Sequence, residues 1–155
     1  MLQIAILGIL TSCGYHLRSQ NLLSKNYPNM KLIISSQSSL KRDLVSSLIA
    51  SGVKLNKKSS ENLTELKIVK DVLRKVVQSI GANNQVQEYR LEYDVQYKID
   101  DGELKSVHLE RDYSFDIQQI GGGQQEEITL RKQITQDMAW AIIRQINASG
   151  NQSNK

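Results

Sequence analysis

The residue best placed to do chemistry is Cys13, the only cysteine of 155 residues. It closes the run Leu10-Thr11-Ser12-Cys13, an aliphatic residue, two small residues and a thiol, which is the lipobox pattern. A peptidase must draw the extended backbone ahead of its cleavage site through a narrow groove, and Thr11 and Ser12 leave room for that. The thiol is then the nucleophile that accepts a diacylglyceryl group. Met1 to Leu10 is an apolar run of signal-peptide length, too short to span a bilayer. Residues 1–12 are therefore expected to be a lipoprotein signal peptide and Cys13 the lipid-modified first residue of the mature chain. Acyl chains worth about 0.8 kcal/mol per buried methylene would hold it on a membrane. The competing expectation is a buried first element with Cys13 as an ordinary core residue. Against it, the apolar run stops at Cys13 and polar sequence follows. No Lys or Arg precedes the run, which points to a truncated or misplaced start.

Other chemistry is hard to assemble. His16 follows the cysteine and His108 sits on the polar side of an alternating segment; neither has a second ligand at metal-binding spacing or a nucleophile beside it. No metal, cofactor or enzymatic activity is expected. Gly121-Gly122-Gly123 precedes a helix but lacks the Lys-Ser/Thr of a phosphate loop. Glu92, Asp94, Glu110, Asp112 and Asp116 interleave with Arg90 and Lys98, as exposed sheet faces commonly do. The net charge of +4 permits an anionic partner without requiring one, and nothing specifies nucleic acid. Lys67, Lys70, Arg74, Lys75 and Arg90 form the densest basic region. Two or three on one strand face could grip lipid phosphates by charge-assisted hydrogen bonds, and the same residues also fit an ordinary solvated face.

The elements that must position these residues follow from periodicity. Ser19 to Asn29, with the only proline at 28, predicts a polar tether, and Met30 to Ser35 a short buried strand. Ser38 or Ser39 offers a cap for a helix carrying Leu40, Leu44, Val45, Leu48 and Ile49, which Gly52 ends; Val53 to Asn56 suits a second short strand. Leu66 to Ile80 fits both periods, and its wealth of Val and Ile decides for a long strand with Leu66, Ile68, Val72, Val76 and Ile80 on one face. Tyr89 to Ile99 and Ser106 to Ile117 alternate strictly, which predicts a hairpin. Parity sets its register. A two-residue loop would pair apolar with polar faces, whereas a three-residue loop of Asp100, Asp101 and a left-handed Gly102 pairs Val95 with Val107, Tyr93 with Leu109 and Tyr89 with Tyr113. The tyrosines on these strands are expected to be core residues. After a flexible triple glycine, a final helix from about Gln125 to Ile146 presents Leu130, Ile134, Met138, Ala141, Ile142 and Ile146 on one face, followed by a disordered tail.

The start Cys13-Gly14-Tyr15-His16-Leu17-Arg18 and this order of elements together resemble the LptE family of lipopolysaccharide-assembly lipoproteins, over nearly the whole chain. The resemblance implies an α+β fold, two helices packed on one face of a mixed, roughly four-stranded sheet in the order β-α-β-β-β-α. It divides the chain into a signal peptide (1–12), a lipidated tether (13–29), a single domain (30–147) and a tail (148–155). It further implies a non-enzymatic outer-membrane lipoprotein that plugs the LptD β-barrel, helps it assemble and aids lipopolysaccharide insertion. The alternative is a periplasm-facing binding or scaffold lipoprotein without a barrel partner. The family's basic lipopolysaccharide contacts have no counterpart at the hairpin tip (81–85) or before the last helix (118–124), where no Lys or Arg occurs. Arg74, Lys75 and Arg90 on the flanking strands are the nearest candidates.

Overall fold

The strictest alternation in the sequence becomes a central strand of the sheet. In the computed structural model, which describes residues 22–56, 63–114 and 120–150, β4 (Val86–Ile99) is paired on both sides. Its odd-numbered residues Leu91, Tyr93, Val95 and Tyr97 are fully buried. Each buried side chain of this size contributes about 1.5–3 kcal/mol. Strand β5 (Lys105–Ser114) pairs antiparallel with β4 in the register that parity requires: Val95 opposite Val107, Tyr93 opposite Leu109, Tyr89 opposite Tyr113. Cys13, His16, Asp116 and the lipobox lie outside the described residues.

The turn differs from expectation in one detail. The left-handed residue is Asp100, at φ 49°, and not Gly102. Aspartate is among the few residues that adopt this conformation, and here Glu65 on the neighbouring strand fixes it: Asp100 Oδ1 accepts from the Glu65 N–H at 2.7 Å, while the Asp100 N–H donates to the Glu65 carbonyl at 2.8 Å. Gly102 is needed for close approach instead, since a Cβ there would lie 2.9 Å from the Ile99 carbonyl oxygen.

Strand β3 (Thr64–Ile80) is the long strand expected, antiparallel to β4, but its faces are not those the sequence suggests. Ile68 lies opposite Tyr97 and Lys70 opposite Gln96, so Val69 is an extra residue in the ladder. A β-bulge inverts the alternation beyond it. Leu66 and Ile68 point to the helices below the bulge; Asp71, Leu73, Lys75 and Val77, paired with Val95, Tyr93, Leu91 and Tyr89, do so above it. Val72 and Val76, expected on the inner face, are opposite Asp94 and Arg90 on the outer one.

Beside β3 runs β1 (Asn29–Ile33), parallel to it, and β1 also pairs in parallel with the two-residue β2 (Lys54–Leu55). The sheet is thus mixed, with five strands in the order β2-β1-β3-β4-β5 where about four were expected. The crossover from β1 to β2 is helix α2 (Leu40–Ala50), with Leu40, Leu44 and Leu48 buried. Gly52, at φ 81°, ends it as expected. The Val53 N–H bonds the Leu48 carbonyl and the Gly52 N–H that of Ile49, a Schellman motif sealed by the buried Leu48 and Val53.

Two segments extend the fold beyond the predicted boundaries. A short helix α1 (Leu22–Asn26) occupies part of the expected tether, and its Leu23 is fully buried. The last helix, α3, runs from Ile120 to Gly150, so the triple glycine is helical and the helix continues into the expected tail. Extending an existing helix adds one hydrogen bond per residue, which is how weak formers at its start are carried along. Ile134, Met138, Ala139, Ile142, Ile143 and Ile146 of α3 are buried with the leucines of α2 and the inner residues of the sheet in one core. Both long helices therefore cover the same sheet face. Among the described residues, no helix is long and apolar enough to cross a membrane.

Deleting Val69 should remove the bulge yet leave Asp71, Leu73 and Lys75 opposite their present partners, whereas inserting one alanine between Asp71 and Val72 should turn Leu73 and Lys75 to the other face. Urea unfolding of the insertion variant is expected to show a loss of about 3–5 kcal/mol or no cooperative transition. The deletion, at a side chain 51% exposed, should cost less, about 1–2 kcal/mol; equal effects of the two changes would contradict the assigned register.

Candidate functional site

The bulge gives the sheet two chemically different faces. On the inner face, polar side chains pin the helices. Lys75 Nζ donates to Glu127 Oε2 of α3 at 2.6 Å and lies 3.9 Å from the centre of the Tyr89 ring, which stacks on Tyr113. The Tyr113 hydroxyl donates to the same carboxylate at 2.7 Å and Arg131 Nε at 2.7 Å. Burial works to raise the Glu127 carboxyl, but the three donors outweigh it and hold it at about 2. Burial likewise opposes the charge on Lys75, and Glu127 with Tyr113 more than restores it, so the ammonium is raised above its ordinary value. Further along α3, Arg111 reaches Asp137 at 2.9 Å, the Tyr97 hydroxyl reaches Gln145 at 3.0 Å and Lys105 reaches Ser149.

A second inner node is Asp71, which accepts from the Tyr93 hydroxyl at 2.8 Å and from Ser38 Oγ. Burial first, and then the Asp71 hydrogen bond, push the Tyr93 phenol well above its usual range, so it stays a donor. Asp71 borders an open cleft of about 590 Å³ between the loop after β1, the bulged part of β3 and α3, lined also by Ser35, Ile68, Lys70, Arg131 and Thr135.

The outer face is covered by no described element and carries a lattice of ion pairs. Arg74 bridges Glu92 (3.1 Å) and Asp94 (3.0 Å). Arg90 grips Asp112 with two nitrogens, at 2.6 and 2.9 Å, and reaches Glu110 at 3.2 Å. The hydrogen bond from Arg90 holds the Asp112 carboxyl below its ordinary value, and the one from His108 does the same for Asp94. His108 Nδ1 lies 2.8 Å from Asp94 and Nε2 3.9 Å from Glu110, so both ring nitrogens face carboxylates and neither faces a hydroxyl or thiol. Among the described residues, no three His, Cys, Asp or Glu side chains gather as a metal site.

The three basic residues singled out as a lipid-phosphate grip are not brought together. Arg74 and Arg90 are on the outer face, each engaged by carboxylates, whereas Lys75 is on the opposite face, locked to α3. Adjacent strand residues face opposite ways, so Arg74 and Lys75 could not share a face, and the bulge decides that Arg74 is the one that joins Arg90. Glu127 was not singled out from the sequence; its only local signal is the Glu-to-Arg spacing of an i,i+4 helix pair with Arg131.

A family model described as LptE, lipopolysaccharide-assembly, matches residues 28–146. Three solved structures share the fold. A minor lipoprotein from Acinetobacter baumannii is 24% identical, with 79% of this chain and 92% of that one aligned and a TM-score of 0.68. The rare lipoprotein B from Shewanella oneidensis is 20% identical over 82% of this chain and 99% of that one, with a TM-score of 0.71. An uncharacterized lipoprotein B from Nitrosomonas europaea is 21% identical over 89% and 93%, also with a TM-score of 0.71. No curated protein sequence matches.

Glu127→Gln should lower stability by about 1–3 kcal/mol, because Lys75 keeps a partly covered charge without its counter-ion. The pH dependence has a definite sign. A carboxyl held at about 2 in the fold and near 4.5 when unfolded stabilises the fold fully above pH 4.5, and this contribution is lost as pH falls toward 2. Thermal unfolding across that window should fall less steeply for Glu127→Gln than for the native chain; parallel curves would contradict the clamp.

Proposed function

The chain belongs to the LptE lipopolysaccharide-assembly family, and from that premise we propose that it is an outer-membrane lipoprotein, anchored through Cys13, that sits in the lumen of the LptD β-barrel. The family is non-enzymatic, and its work is lipopolysaccharide assembly. In the proposed complex the chain plugs the barrel, helps it assemble and aids insertion of lipopolysaccharide into the outer leaflet.

The observation that carries this reading is the outer sheet face. A soluble domain with a sheet this large covered on one side only has two ordinary options for the other: apolar residues waiting for a second layer, or polar ones facing water. Here the face is polar, and across β3, β4 and β5 Arg74 and Arg90 pair with four carboxylates. Such a surface suits the polar interior wall of a barrel, which would reject a large apolar patch. Internal pairing also keeps the chain soluble before it meets a barrel.

Of the three basic residues expected to contact lipopolysaccharide, Arg74 and Arg90 remain candidates on this exposed face. Each would exchange one carboxylate for a phosphate oxygen, a substitution of like chemistry. Lys75 serves the α3 clamp instead. The anchor rests on the lipobox at Leu10 to Cys13, with acyl chains supplying the membrane affinity that no described helix provides.

Purification from crosslinked outer membranes is expected to bring down a barrel of LptD size, and labelled palmitate should enter the native chain and not Cys13→Ala. Recovery from those membranes without any barrel would leave a scaffold lipoprotein that works alone. Failure of the label to enter a correctly started chain would remove the anchor.

A further inference from the structure

On the outer face, one group of cations has no carboxylate of its own. Lys67 of β3 and Lys98 of β4 are direct cross-strand partners, and Lys70, opposite Gln96, is the next outward-facing residue along β3. Like charges placed directly opposite one another destabilise a sheet. Among the described residues, none of the three makes an ion pair, in contrast to Lys31, Arg74 and Arg90 on the same face. Lys70 feels the Asp94 carboxylate, but that group is bonded to Arg74 and His108. Lys31 and Lys54 continue the band across β1 and β2, where Glu65 is taken up by Lys31.

The group is assembled by the bulge. Lys67 and Lys70 are an odd number of residues apart, so in a regular strand they would lie on opposite faces. The extra residue Val69 brings both to the outer face beside Lys98. Bulges recur where a side chain must be re-aimed, and this one concentrates positive charge where pairing with acids would have been the stabilising choice.

We propose that Lys67, Lys70 and Lys98 form a phosphate-recognising site for the phosphorylated saccharide headgroup of the lipopolysaccharide that this chain handles. This rests on the assembly role proposed above and assigns the contact to residues other than Arg74 and Arg90. Three flexible ammonium groups on neighbouring positions of one sheet face suit multiply charged phosphate esters, which they contact as point charges without demanding one geometry. Bound phosphate also relieves the repulsion between Lys67 and Lys98.

The test uses the full chain in detergent, with bisphosphorylated lipid A as probe, dephosphorylated lipid A as reference and inorganic pyrophosphate as competitor. K67Q/K98Q should weaken binding of the phosphorylated probe on the order of tenfold, leave the reference unchanged, and melt no lower than the native chain because a repulsive pair has gone. K67R/K98R should retain binding. Pyrophosphate should compete weakly; if it binds as tightly as the lipid, the site is for free phosphate and the lipid assignment fails. Native-strength binding by K67Q/K98Q overturns the proposal, as does a double variant that binds the probe normally but loses the barrel, which would make the patch a protein contact. A native chain that copurifies with the barrel yet ignores phosphorylated lipid A also overturns it while leaving the assembly role intact.

Discussion

A β-strand can turn a given parity of residues to only one side, and the long strand β3 has to serve two sides along its length. Its lower part buries Leu66 against the helices, while its upper part offers them Asp71, Leu73 and Lys75, residues of the opposite parity. One extra residue at Val69 reconciles the two. Much else follows from it: the carboxylate that ties Ser38 and Tyr93 together, the ammonium beneath the Tyr89 and Tyr113 rings, and the placing of Arg74 rather than Lys75 on the face of Arg90. A regular strand would have put Val72 and Val76 inside and these charged groups outside, with no ammonium on β3 for Glu127 to hold.

The division of labour between the faces has a physical logic. The inner-face side chains that reach α3 are few and partly covered, and they fix where a long helix lies on the sheet: Lys75 and Arg111 toward its start and middle, Tyr97 and Lys105 toward its end. Charges on the outer face are many, exposed and shared. Pairs of that kind contribute little to stability, about 0–1 kcal/mol each. Their use lies in presenting a surface that is polar without being strongly charged, except at the lysine band.

What could be read from the residues was whatever a strict period or a turn rule expresses. The alternation from Tyr89 to Tyr113 left one register compatible with burying the apolar side, and Gly52 had the left-handed role that ends a helix. The bulge was invisible because Val69 is an ordinary strand residue with no glycine or proline beside it, so the faces of the residues from Lys70 to Val77 were misassigned, and Lys75 was grouped with arginines it never meets. Leu23 was hidden in a polar stretch, since one buried side chain makes no period. The left-handed Asp100 was missed because its stabilising bonds go to Glu65, 35 residues away. The three glycines in α3 had every local mark of a break, overridden by the helix that follows them.

The central claim is that the uncovered outer face, and not the back of the helices, meets lipopolysaccharide. A photocrosslinking residue in living cells tests this most directly, placed in turn at Gln96 and Ser106 on the outer face and at Lys132 and Gln136 on the exposed side of α3. Lipopolysaccharide adducts at the first two positions and none at the second two are predicted. Adducts confined to Lys132 and Gln136 would contradict the claim and move the contact to the helical side.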